Sequence, residues 1–241
     1  MGYNHVSSGL VAGLATLPLV PWTSGLAQAS WVVGVGGASL VPDWDSAQAT
    51  ASRMWGPITG ALSRLVSTVA RGHRQGTHDA VLAPVAFGGL TAAASLHPLT
   101  LGVVLALVIG LALRGLTLAG AGRLAAPLNL LVSVAGSWWL TTTGTAALSW
   151  LPLLVAAGVL VHIAGDLLTT EGVPLPLLWL FGHDRRISAG LLSTDSPIEQ
   201  WVVAPLLSLL GVWLLARHVG VHDLTSAAAL LVDAVSLLPG L

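Results

Sequence analysis

The chain has 241 residues, of which 54% are hydrophobic and only 8% charged, and its mean hydropathy is +0.84. A soluble domain carries roughly a quarter charged residues, so this composition excludes an ordinary water-facing surface and predicts a lipid-facing one. The net charge of −1 with no lysine excludes a basic nucleic-acid surface, and the absence of cysteine excludes disulfides, thiolate metal ligands and a cysteine nucleophile.

In lipid every backbone polar group must be satisfied internally, which leaves helices or a closed barrel. The long runs of Leu, Ala, Val and Gly lack the alternation of barrel strands. They predict an all-α, polytopic transmembrane helix bundle forming one integral membrane domain over 1–241. The N-terminus lacks the basic, apolar and small-residue order of a cleaved signal.

In chain order the apolar segments fall near 8–22, 26–42, 78–96, 98–113, 124–141, 146–168, 200–216 and 225–238. Several are shorter than the ~20 residues that span a bilayer comfortably, so the expectation is seven to eight short membrane segments. The polar stretch 46–72 places Met54, Leu62, Leu65, Val66 and Val69 at helical spacing among Arg53, Arg64 and Arg71, which predicts an amphipathic helix in the interface. If each segment crosses once, eight of the nine arginines share one side with the loops 43–77, 114–123 and 169–199, and only Arg217 lies opposite. That asymmetry predicts a cytoplasmic location for the shared side, including the 169–199 loop.

On this topology His5, Asp43, Asp45, His73, His78, Asp79, His162 and Asp166 all come to the cytoplasmic ends of their segments. Ionisable groups near membrane depth are costly and are functional suspects. His162 and Asp166 stand four apart, on one helix face. Imidazole and carboxylate are the usual ligands of Zn²⁺ or Mn²⁺ where thiolates are absent. His5, Asp43, His73, His78, His162 and Asp166 are therefore the expected ligands of one to three divalent ions, Zn²⁺ first and Mn²⁺ second. Asp45 or Asp79 is expected as the base or an extra ligand, and Arg74 as the group that engages phosphate oxygens. Thr170, Arg185, Arg186 and Glu199 are the substrate-side candidates, the two arginines serving equally well as plain inside-positive charges. His97, His218 and His222 read as interfacial bystanders. Trp138, Trp139, Trp150 and Trp179 suit aromatic belts, and Asp233 finds no role.

An early His5 with Gly9, PDWD at 42–45, HRQGTH at 73–78 and HIAGDLLTTEG at 162–172 together resemble the bacterial membrane-bound metal-dependent hydrolase family. That family is also described as the LexA-binding, inner-membrane-associated hydrolase (YdjM-like) family. The likeness runs over most of residues 5–200. Where the family pattern reads HRGxTHS, this chain has Gln75 and ends in Asp79. More distantly, the order of the motifs is similar to zinc-dependent phospholipase C and the single-strand-specific nucleases. The resemblance implies metal-dependent hydrolysis at the inner membrane, most simply of a lipid or lipid-linked phosphoester, with a cytoplasmic protein partner as a further expectation. The alternatives are a divalent-metal transporter or channel, whose site belongs near the bilayer midplane, and a non-catalytic scaffold holding a closed structural metal.

Overall fold

The computed structural model describes residues 2–194 and 196–221; the expectations for His222, Asp233 and the apolar segment 225–238 lie outside them. The described chain is mostly helical. Its eight α-helices are α1 (Gly2–Ala15), α2 (Gly25–Ala38), α3 (Pro57–Val69), α4 (Leu82–Ala94), α5 (Pro98–Gly115), α6 (Ala125–Thr143), α7 (Leu151–Leu167) and α8 (Ala204–His218). By length and apolar composition three stretches are able to cross a membrane: Pro98–Gly115, Ala146–Leu167 and Glu199–His218. At 13–14 residues, α1, α2 and α4 fall short of that length.

Central α2 packs against α1, α5 and α7; α8 covers α1, α4 lies on α7 and α6 on α5. Small residues permit these approaches. A Cβ on Gly37 of α2 would lie 2.2 Å from the Val108 carbonyl oxygen of α5, and one on Gly158 of α7 would lie 2.5 Å from Ala38 Cβ. Without a hydrophobic force between helices in lipid, such contact is a main source of association. The core joins Val6, Val35, Leu40, Leu111, Leu154 and Val159. Buried Asn129 of α6 donates to the Gly110 carbonyl and accepts from Trp55 Nε1, which ties the start of α3 to α5 and α6.

Helix α3 is shorter than the 46–72 stretch suggests. Met54 lies before it and is wholly buried, while α3 buries Thr59 and Ser63 and turns Ile58, Leu65 and Val69 outward. That distribution suits a helix whose apolar face meets lipid. The first helix starts earlier than hydropathy suggests, so His5 is a buried residue of its second turn rather than part of a flanking tail. The 169–199 loop contains a small hairpin, β1 (Val173–Pro174) antiparallel to β2 (Arg186–Ile187), with a helical turn at Leu178–Phe181 between the strands.

The antiparallel packing brings the start of α1, the end of α2, the start of α4 and the end of α7 to one end of the bundle. A 3-10 turn at Pro42–Asp45 and another at Gly76–His78 complete that end.

Candidate metal centre

Three imidazoles and two carboxylates meet here. His78 Nε2 lies 3.1 Å from His162 Nε2 and 3.3 Å from Asp166 Oδ2, and His162 Nε2 lies 3.6 Å from the same oxygen. Asp43 Oδ1 is 3.9 Å from His162 Nε2. The His5 ring stacks on His162 at 3.8 Å, and its Nε2 lies 3.6 Å from Asp166 Oδ1. His78, His162 and Asp166 are at most 1% exposed.

The atoms around this cluster decide which nitrogen faces inward. His162 Nδ1 is 2.7 Å from the Ser39 carbonyl oxygen, which only accepts, so Nδ1 carries the proton and Nε2 the lone pair. His78 Nδ1 lies 3.2 Å from Asp45 Oδ2, whose lone pairs fix the same tautomer. With both rings neutral, two imidazole lone pairs face each other at 3.1 Å inside the protein, an arrangement that a shared cation, either a metal ion or one proton, stabilises. Ligands about 2.0–2.1 Å from a tetrahedral Zn²⁺ sit roughly 3.3 Å from one another, and the His78–His162–Asp166 triangle has edges close to that. The donor set therefore fits a divalent ion. Within 4.8 Å three groups of donors meet: His5, His162 and Asp166; Asp43, His78 and His162; Asp45, His73 and His78. They overlap at His78 and His162, so the three groups form one continuous donor cluster.

Asp45 is 2% exposed and accepts from His73 Nδ1 at 2.6 Å, from the Arg74 backbone amide at 2.9 Å and from the Thr77 hydroxyl. Burial alone would raise its carboxyl, but the bonds from His73 and His78 hold it well below the usual carboxylate range. The same Asp45 bond raises His73 above the ordinary imidazole value of 6.5. His73 is the exposed member of the cluster, at the mouth of the site.

Several expected roles change. Arg74 is 3% exposed, and its guanidinium is spent on Asp166 Oδ1 at 3.1 Å, Thr169 Oγ1 at 3.2 Å and Glu171 at 3.3 Å. In this arrangement its side chain holds Asp166 Oδ1. Its backbone φ of 58° lies in the left-handed region, a strain that surrounding structure must hold. Asp79 stands outside the cluster. Its carboxylate accepts from the amides of Val81 and Leu82 and from the Leu177 amide and Trp179 Nε1, so it starts α4 and anchors the hairpin loop. Burial opposes ionisation of Asp79, but these four donors lower its carboxyl below the ordinary value. Trp179 is correspondingly buried and belongs to no aromatic belt. Thr170 is exposed, whereas Thr169, one residue earlier, is buried and bonded to Arg74. Arg185 and Arg186 lie at the exposed second strand of the hairpin, where Arg186 pairs with Asp184 at 3.2 Å. Glu199 is buried beside α1 and accepts from Asn4 Nδ2 at 2.7 Å, next to His5 but outside the donor groups.

Ser39, Thr77, Thr169 and Glu171 belong to the site and were not expected. The last three sit inside or beside HRQGTH and HIAGDLLTTEG, whereas Ser39 acts through its carbonyl, which has no signature in sequence.

The YdjM inner membrane protein family matches over residues 1–238, so the chain belongs to that family. No curated protein and no solved structure matches it.

Proposed function

We propose that this member of the YdjM inner membrane protein family is a metal-dependent hydrolase that cleaves a phosphoester of a membrane lipid or lipid-linked molecule. The observation that carries the reading is the buried His78–His162–Asp166 triangle, whose inward lone pairs and spacing suit a divalent ion. Zn²⁺ suits the imidazole-carboxylate set best and Mn²⁺ next. When bound, the ion supplies an acidified water and charge stabilisation at the phosphoryl group.

The chain's own residues do the rest. His78, His162 and Asp166 hold the ion, with His5 and His73 beside them. Asp45 orients His73 and His78, the Ser39 carbonyl orients His162, and Arg74 orients Asp166; such supporting bonds fix the tautomer and ring direction of metal ligands. Because Asp45 already accepts from His73, His78, Thr77 and the Arg74 amide, and Asp79 from four donors, Asp43, partly exposed at the edge of the cluster, is the carboxylate placed to accept the water's proton. Water's oxygen bonds to phosphorus as the ester P–O bond breaks and the leaving oxygen takes a proton: a phosphodiester gives an alcohol and a phosphate monoester, a phosphomonoester an alcohol and inorganic phosphate.

The orientation belongs to the same reading. Seven or eight short membrane segments, several of them thinned or tilted, put this end of the bundle at the cytoplasmic face, as the arginines suggest. A site at helix ends favours hydrolysis at the interface over transport, which uses the bilayer midplane.

The test is turnover of lipid and lipid-linked phosphoesters by purified protein, with and without chelator. Metal-dependent release of a phosphate product is expected. Asp43→Asn, which keeps shape and removes the base, should lower it about 100- to 10,000-fold while the protein keeps its fold. Metal uptake into proteoliposomes with no hydrolysis would give the case to a transporter, and tightly bound metal with neither activity to a scaffold.

A further inference from the structure

A cavity of about 460 Å³ lies between α3, α4 and α5, beside the metal centre. It falls within the ~300–1,000 Å³ of ordinary ligand pockets. Its walls are hydrocarbon: Val66 of α3, Phe87 of α4, Leu107 of α5 and Val155 of α7. The hydroxyls that reach it are already bonded, Thr77 to Asp45 and Thr91 to the Phe87 carbonyl. Apart from the indole N–H of Trp44, a polar ligand finds nothing to bind along these walls.

Three features say what fills it. First, the cavity opens sideways: Leu65 and Val69 of α3 and Leu90 of α4 line it and are each more than 60% exposed. In a bilayer protein that opening faces the membrane rather than water. Second, its inner wall is continuous with the metal centre. Trp44 stands between Asp43 and Asp45, and Thr77 stands beside His78 and donates to Asp45. Third, Trp44 is 7% exposed, and its indole N–H is buried without an acceptor among the described residues. A buried unpaired donor is costly, and this one belongs to the residue where the apolar wall meets the polar cluster.

We propose that this groove binds one hydrocarbon tail of the phosphoester substrate, entering laterally between α3 and α4, with Trp44 Nε1 donating to an oxygen at the tail's polar end. The proposal rests on the hydrolase reading for the identity of the headgroup, but the groove's occupancy is measurable without turnover. A tail held here places the phosphoester at the end of the groove where Trp44 and Thr77 adjoin the donors.

The experiment is photolabelling of the full chain in lipid nanodiscs that contain phosphatidylglycerol with a diazirine on one acyl chain, followed by peptide mapping. Labels are expected on the inner wall, at Val66, Phe87 and Leu107. Ala86→Trp, which fills the groove from α4, should abolish them while bound metal stays as in wild type. Val66→Trp fills it from the opposite wall and serves if Ala86→Trp does not fold. Val132→Trp on the outer face of α6 should change nothing. Labels spread evenly over outward faces, and unaltered by either filling variant, would overturn the proposal. Inner-wall labels without any phosphoester turnover would keep the groove and remove the hydrolase reading. Turnover with even labelling would do the reverse.

Discussion

At one end of the bundle His5, His78 and His162 are buried and turned toward carboxylates. At the other end His97 is exposed and caps α5 by accepting from the Leu99 amide, and exposed His218 lies 3.1 Å from Gln28 Oε1. At that second end Trp150 packs edge to face on Trp22 and Trp31, with centroids 5.3 and 6.4 Å apart, and those two lie tilted against each other at 6.0 Å. The same residue type thus has two uses. What separates them is the carboxylate: among the described residues no acidic side chain pairs with His97 or His218, whereas the first end gathers Asp43, Asp45 and Asp166. Here the histidines without a neighbouring carboxylate are a cap and a surface group, and those beside one are poised as ligands.

The largest break in that comparison should come from His162→Ala set against His218→Ala. Losing an outer contact typically costs 10–100-fold in metal affinity or activity, so losing His162 itself should cost at least about 100-fold, read by competition with a chelating dye. His218→Ala should leave affinity unchanged, because its partner is one exposed amide. The opposite pattern would mean that the ends have been assigned the wrong way round.

Arg74→Gln sharpens the comparison inside the first end. The site keeps every ligand but loses the group that fixes Asp166, and affinity should fall roughly 10-fold. If Arg74 instead binds substrate phosphate, metal affinity will be unaltered and KM alone will rise.

The smallest effect is one of pH. The Asp45 bond raises His73 above 6.5, so its pairing with Asp45 stabilises the metal-free fold fully below that value and fades as pH rises through the raised one. Asp45 is depressed, so its share is present above its ordinary 3.8 and fades only on acidification. An ion that recruits His73 from the Asp45–His73–His78 group displaces its proton, so affinity should then rise with pH over the range in which metal-free stability declines. His73→Gln should flatten both trends, measured by titration and by thermal melts from pH 6 to 9.

Much of this contrast was legible in the sequence, because hydropathy marks helix ends and HRQGTH and HIAGD carry their donors at fixed spacing. The helices α2, α4, α5, α6 and α7 fall close to their apolar runs. What stayed hidden is set by tertiary packing. His5 joins a helix whose first turns are not apolar. The orientation of His162 depends on the Ser39 carbonyl at the end of α2, and the inward turn of Arg74 onto Asp166 is a contact across 92 residues. Asp79 looks like a ligand beside His78, yet four donors from α4 and the hairpin loop take its carboxylate. Strands of two residues leave no readable period, so the 173–187 hairpin looked like plain loop.

Elemental analysis of the purified protein before and after chelation, with thermal melts alongside, tests the central claim most directly. The His78–His162–Asp166 centre predicts close to one or more Zn²⁺ or Mn²⁺ ions per chain and a lower Tm after chelation, since an ion bound only to the folded state stabilises it by mass action. Protein that carries no transition metal, takes none up and melts identically with and without chelator would contradict it.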